Sequence, residues 1–173
     1  MEYWFEMGNK WTFKQPKLLK FILKYIPHNS KVLIPFAGKY RFGTIDNTKY
    51  IYNDINPEIK ANHNIEAYKL AWLYPKHFFD CIISDPPFTH NQTFINYSFH
   101  KNKNINPRKT IKRWRNVANY LLKTEGIYIE LGYNSTGLIK KTAEKYNSSV
   151  FMYIEYPHKS FWSNTHAQNH QIP

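Results

Sequence analysis

The sequence predicts a single α/β domain with a mostly parallel sheet and helices on both faces. Three observations carry this. Short apolar, partly β-branched runs recur, as strands buried on both faces require. Helical apolar spacings fall between them. Acidic and polar residues collect just after the apolar runs, where open α/β sheets bind ligands. The 173 residues suffice for one domain, 1–173, with a real core and are too few for two.

Residues 1–14 read as an aromatic loop with Tyr3, Trp4, Phe5, Trp11 and Phe13. Pro16 can open a helix, because its missing N–H is no loss in a first turn. Leu18, Leu19, Ile22, Leu23 and Ile26 then repeat on one helical face. Lys31-Val32-Leu33-Ile34-Pro35 is a short buried strand, and Phe36-Ala37-Gly38 a tight loop where a ligand can come close to the backbone. Residues 50–53 form a second strand ending at Asp54, and Asn56-Pro57-Glu58 resembles a helix cap. An acidic residue there can accept hydrogen bonds from ribose hydroxyls.

Residues 65–68 suggest a weak third strand with Glu66 at its tip, and residues 70–73 pack behind it. Phe79 to Ser84 is a strand that Pro86 and Pro87 stop, since each fixes its own φ and lacks an N–H. The result is a stiff corner with Asp85 at its entrance and Phe88 at its exit. A carboxylate, free carbonyls and an aromatic face suit a planar heterocycle bearing an exocyclic amine. Residues 89–106 form a long polar loop, a length that points to function. Pro107 opens a basic helix to about 123, with Ile111, Trp114, Val117, Ala118 and Leu121 inward. Strands at 126–131 and 150–156 flank a helix at 138–146, and the tail is polar.

Cys81 is the sole cysteine, mid-strand and read as core, so disulfides within the chain and cysteine metal clusters are excluded. The histidines lack metal-ligand spacing, and no metal is expected. The opening residues do not lead from a basic segment into an apolar core, and no apolar run spans a membrane. The expectation is a cytoplasmic protein of a prokaryotic or virus-infected cell, with no membrane partner. Net charge is +12, which calls for an anionic partner, most simply nucleic acid. Its distribution sharpens this. Residues 86–124 contain no acid, yet hold Lys101, Lys103, Arg108, Lys109, Lys112, Arg113, Arg115 and Lys123.

Asp85-Pro86-Pro87-Phe88 after an apolar strand resembles the signature of S-adenosylmethionine-dependent amino-methyltransferases acting on nucleic-acid bases. Across residues 9–156 the chain is similar to the Rossmann-like class I fold of those enzymes. Its N-terminal part is most similar to Dam-type (D12 class) DNA adenine methylases. Lys10-Trp11, Pro35-Phe36-Ala37-Gly38 and Asn53-Asp54-Ile55-Asn56-Pro57-Glu58 carry that likeness.

The resemblance implies S-adenosylmethionine as cofactor. Trp11 and Lys14 would meet its methionine end, and Pro35, Phe36, Ala37 and Gly38 would pass beneath it. Asp54 would hold the ribose, Ile55 would pack on the adenine, and Glu66 would accept from the adenine amine. Asp85 would stand near the methionine end. Asp85, Pro86, Pro87 and Phe88 would form the catalytic corner. Three departures accompany the likeness. Ile34 stands where the family has an acid, the second glycine is displaced to Gly43, and no recognition domain separates Glu66 from Phe79.

The expected activity is therefore methylation of DNA adenine N6, with a specificity partner or a second copy supplying sequence selection. The alternatives are RNA adenine-N6 or guanine-N2 methylation, and a non-catalytic nucleic-acid-binding subunit.

Overall fold

Four short apolar runs become one parallel sheet in a computed structural model that describes residues 2–5, 12–43, 45–87, 107–131 and 152–155. The strands are β2 (Lys31–Ile34), β3 (Lys49–Tyr52), β4 (Phe79–Ser84) and β5 (Leu122–Glu130). Their spatial order is β3-β2-β4-β5, with every neighbouring pair parallel. A second, two-stranded parallel sheet pairs β1 (Glu2–Phe5) with β6 (Met152–Glu155). The first of these strands lies where the sequence suggests an aromatic loop. Its three consecutive aromatics, Tyr3, Trp4 and Phe5, have high strand preference and form a strand once a partner supplies the ladder.

Alternation along the central strands divides the core in two. Val32, Ile34, Cys81 and Ile83 face helix α1 (Pro16–Lys24), whose Leu18 and Ile22 are fully buried. Leu33 and Ile82 share the other core with Trp114, Ala118 and Leu121 of helix α2 (Pro107–Leu121) and with Ala67 and Leu70. Helices thus cover both faces of the sheet. Cys81 is fully buried and its thiol is pushed up to about 12, first by burial and then by Asp80, so it is a core residue.

Several elements differ from expectation. Residues 65–68 do not form a strand. A single parallel bridge joins Asn53 to His63, and a 3-10 helix follows over Ala67–Trp72. The buried Asn53 claims the backbone of Ile65 through its side chain, and this turns the chain away from a ladder. The Asn56-Pro57-Glu58 stretch is a turn rather than a helix start. Asn64 donates to the carbonyls of Asp54, Asn56 and Ile59 and closes that turn.

Trp72 and Leu73 do not pack behind the sheet; they are 77% and 51% exposed. In β5, Leu122 pairs with Phe79, while the regular register begins at Ile127 opposite Cys81. The intervening residues bulge, with Glu125 in the left-handed region at φ 63°. Among the described residues no helix is long and apolar enough to cross a membrane. The expected loop at 89–106 and helix at 138–146 lie outside the described residues.

Candidate functional site

The chain leaves β2 towards β3 on one side and leaves β4 towards β5 on the other. This is where strand order reverses, and in open α/β sheets ligands bind outside the carboxyl ends of such strands. Pro35, Phe36, Ala37 and Gly38 follow β2, and Asp85, Pro86 and Pro87 follow β4.

Two buried polar residues shape the first loop. Asn53 accepts through its carbonyl from the Ala37 N–H at 3.0 Å and donates its own N–H to Ile34 at 2.9 Å. Its side-chain amide donates to the carbonyls of Pro35 and Ile65, each at 3.0 Å, and accepts from the Ile65 N–H at 3.3 Å. Asn53 therefore ties three loops together. Asp54 accepts from the Gly38 N–H at 2.8 Å through one oxygen and from the Asn56 N–H at 2.9 Å through the other.

Burial pushes the Asp54 carboxyl above its ordinary range, outweighing those two N–H bonds and the nearby Arg41 charge. Its ionised form is thus held at a cost, as functional carboxylates often are. Gly38 has φ 53°, and the space that a Cβ would enter is open.

The displaced glycine has a structural replacement. Arg41 donates to the carbonyls of Gly38 at 2.9 Å, of Tyr40 at 2.5 Å and of Lys60, and lies 4.6 Å from the centre of the Tyr52 ring. Phe42 is buried against Phe13 and Tyr40. The segment after Gly38 is thereby braced by side chains.

The second corner rests on a buried polar network. Trp114 Nε1 donates to Ser84 Oγ at 2.9 Å, and the Leu131 N–H donates to the Ser84 carbonyl at 2.8 Å. Tyr128 donates to Glu130 at 2.6 Å, and Arg115 makes a two-point ion pair with the same carboxylate. Burial, then the Glu130 charge, raises the Tyr128 phenol well above its usual value, so it remains a donor. Trp114 also meets the Phe36 ring edge to face at 5.7 Å, which joins the two corners.

Between the corners lies an open, shallow cleft. Pro35, Phe36, Ile55, Glu66 and Pro87 line it, as do Asn53, Ile65, Ala67, Tyr68 and Thr110. The first five were expected at a ligand site. The others were not, although Asn53 directly before Asp54 is a visible polar break at a strand end. Ala37, Gly38, Asp54, Asp85 and Pro86 do not line the cleft. Asp54 stands between Asn53 and Ile55, which do line it, and Asp85 is a partly buried residue two positions before Pro87.

Glu66 accepts from the Tyr68 hydroxyl and lies 3.3 Å from Lys69. Lys14 is exposed at the end of a 3-10 turn and does not line the cleft. Trp11, Phe88, Lys101 and Lys103 lie outside the described residues.

The expected basic face is present in part. Lys109, Lys112 and Arg113 are exposed along α2. Arg115 is not on that face: only 13% exposed, it spends its charge on Glu130. Arg108 belongs to α2, with its side chain outside the described set. Arg113 stacks over the Tyr68 ring at 4.5 Å, so the basic stripe meets the cleft at its rim. The chain matches no protein-family model and no curated protein.

Proposed function

We propose that this chain transfers a methyl group from S-adenosylmethionine to the exocyclic amine of a nucleic-acid base, with DNA adenine N6 as the target. The observation that carries this reading is the meeting, at the switch point of a parallel sheet, of a ligand loop, a buried carboxylate and the Asp85-Pro86-Pro87 corner. The fold is then the Rossmann-like class I methyltransferase domain that the sequence resembles.

The residues fit the cofactor. A largely apolar cleft with Glu66, Tyr68 and Thr110 as polar points suits a purine ring between Phe36 and Ile55. Each Asp54 oxygen takes one N–H and keeps a lone pair for a ribose hydroxyl. The open space over Gly38 lets the ligand approach the backbone.

When bound, S-adenosylmethionine supplies an electrophilic methyl on sulfonium. The protein's part is positioning and charge. The target base leaves its stack, because its amine cannot otherwise reach the site. Phe88 stacks on the base, and the Asp85 carboxylate and Pro86 carbonyl accept the two amine hydrogens. This aims the nitrogen lone pair and offsets the positive charge that develops on nitrogen. No covalent nucleophile is needed, in keeping with the high thiol pKa of Cys81.

RNA is the second reading, and one observation favours it. Residues 67–78 hold only a short 3-10 helix and a turn, which leaves no inserted recognition domain. The test is transfer of labelled methyl from S-adenosylmethionine to matched DNA and RNA pools, with nucleoside digestion and mass detection. Label in N6-methyldeoxyadenosine supports the proposal. Label in an RNA nucleoside keeps the chemistry and replaces the substrate. No label, together with no cofactor binding by calorimetry, overturns it in favour of a nucleic-acid-binding subunit.

A further inference from the structure

The 3-10 helix carries a line of side chains out of the cleft. Residues three apart eclipse in such a helix, so Lys69 and Trp72 lie one above the other, with the N-cap residue Glu66 at the start of the line. Glu66 lines the cleft, and Lys69 lies 3.3 Å from it. Trp72 comes next and is 77% exposed, with Leu73 beside it. At a rise of about 2 Å per residue, Trp72 stands about 12 Å along the helix axis from Glu66.

The surroundings are cationic. Tyr68 holds Arg113 of α2 over its ring, and the His77 N–H donates to Tyr120 at the far end of that helix, so the two segments run side by side. Lys76, Lys109, Lys112 and Arg113 are exposed on these two segments, and Glu66 is the acid that the structure pairs with Lys69 there. An indole this open is costly as packing and useful as a stacking platform.

We infer that the Lys69–Trp72 line, flanked by Arg113, is the track for the single-stranded DNA next to the reacting base. Trp72 stacks on a neighbouring base, and Lys69 and Arg113 meet its phosphates. The inference rests on the nucleic-acid reading above. An aromatic face and a row of cations match alternating bases and phosphates, and the commitment to DNA is taken from the proposed substrate.

The test is fluorescence anisotropy of a labelled, adenine-containing DNA oligonucleotide with wild-type protein, Trp72→Ala, Trp72→Phe and Lys69→Gln/Arg113→Gln. S-adenosylmethionine affinity is measured alongside by calorimetry. Trp72→Ala is expected to weaken DNA binding by on the order of tenfold, with Trp72→Phe intermediate. The double variant flattens the salt dependence. Cofactor affinity stays at the wild-type value for both Trp72 variants, which also shows that they are folded.

Wild-type DNA affinity in Trp72→Ala overturns the track and leaves the methyltransferase reading standing. So does tighter binding of a matched RNA oligonucleotide, or of a polyglutamate peptide. Wild-type protein that binds neither DNA nor cofactor overturns both.

Discussion

Around the loop after β2, order comes largely from main-chain groups gathered by two short side chains. Asn53 and Asp54 between them engage the backbone of Pro35, Gly38, Asn56 and Ile65. Across the cleft, the corner after β4 is held by side chains bonded to one another: Trp114 to Ser84, and Tyr128 and Arg115 to Glu130. The first arrangement fixes where a ligand's backbone-facing side can lie. The second anchors the strand end at Ser84, directly before Asp85, while the outer face of α2 carries charge. On the proposed function the site holds one small molecule and receives one polymer, and that division would serve both.

The largest expected effect separates chemistry from scaffold. Asp85→Ala should lower methyl transfer by about 10²–10³-fold or more, with cofactor binding by calorimetry largely kept. Turnover near wild type would remove Asp85 from the mechanism. Next, Asn53→Ala should cost about 3 kcal/mol in urea melts, because a fully buried amide would leave two carbonyls and an N–H without partners. An unchanged midpoint would show that the first loop is held by something other than Asn53.

Ser84→Ala should cost less, about 1–3 kcal/mol, by stranding the buried Trp114 N–H. The same melts would show whether the side-chain network or the apolar contacts of Trp114 dominate the second corner.

The smallest effect lies away from both. Burial acts against the Asp80 charge, but the Lys123 ammonium and the Lys31 N–H outweigh it and hold the carboxyl below its ordinary value. Its stabilisation is therefore complete above the usual carboxylate range and is lost as pH falls through the lower folded-state pKa. Asp80→Asn should cost less than about 1 kcal/mol at neutral pH, and the gap to wild type should close in acid melts.

Local patterning made α1, β2, β3, β4 and α2 legible, because apolar spacing and the two helix-opening prolines act over a few residues. The Pro35–Gly38 loop and Pro87 were legible for the same reason, as residues just past strand ends, whereas Ile55 followed from the resemblance and Glu66 from a third strand that does not form. What escaped depends on distant partners. Arg115 reads as one more cation until Glu130 is brought beside it from another element. Residues 65–68 have middling strand character, and the side chain of Asn53, just past β3, decides their path. Trp72 is the clearest case, since nothing local to an aromatic residue says whether a surface will come to cover it.

The segment that replaced the missing strand has a consequence for self-association. β3 is the outer strand of the sheet, and an uncovered outer strand invites pairing with another chain. Tyr52 would present its backbone outward, yet its N–H donates to the Asn62 side chain at 2.8 Å and its carbonyl accepts from the N–H groups of Asn62 and His63 at 3.0 and 3.2 Å. The residues that alternate with it, Lys49 and Asn53, bond inward to Ser30 and Ile34. By this alternation, among the described residues of β3, only Tyr50 offers an outward pair of groups, too short a template for a foreign strand. The turn around Asn62 thus works as a lid on the sheet's border, and it guards a cation-rich protein against edge-to-edge aggregation.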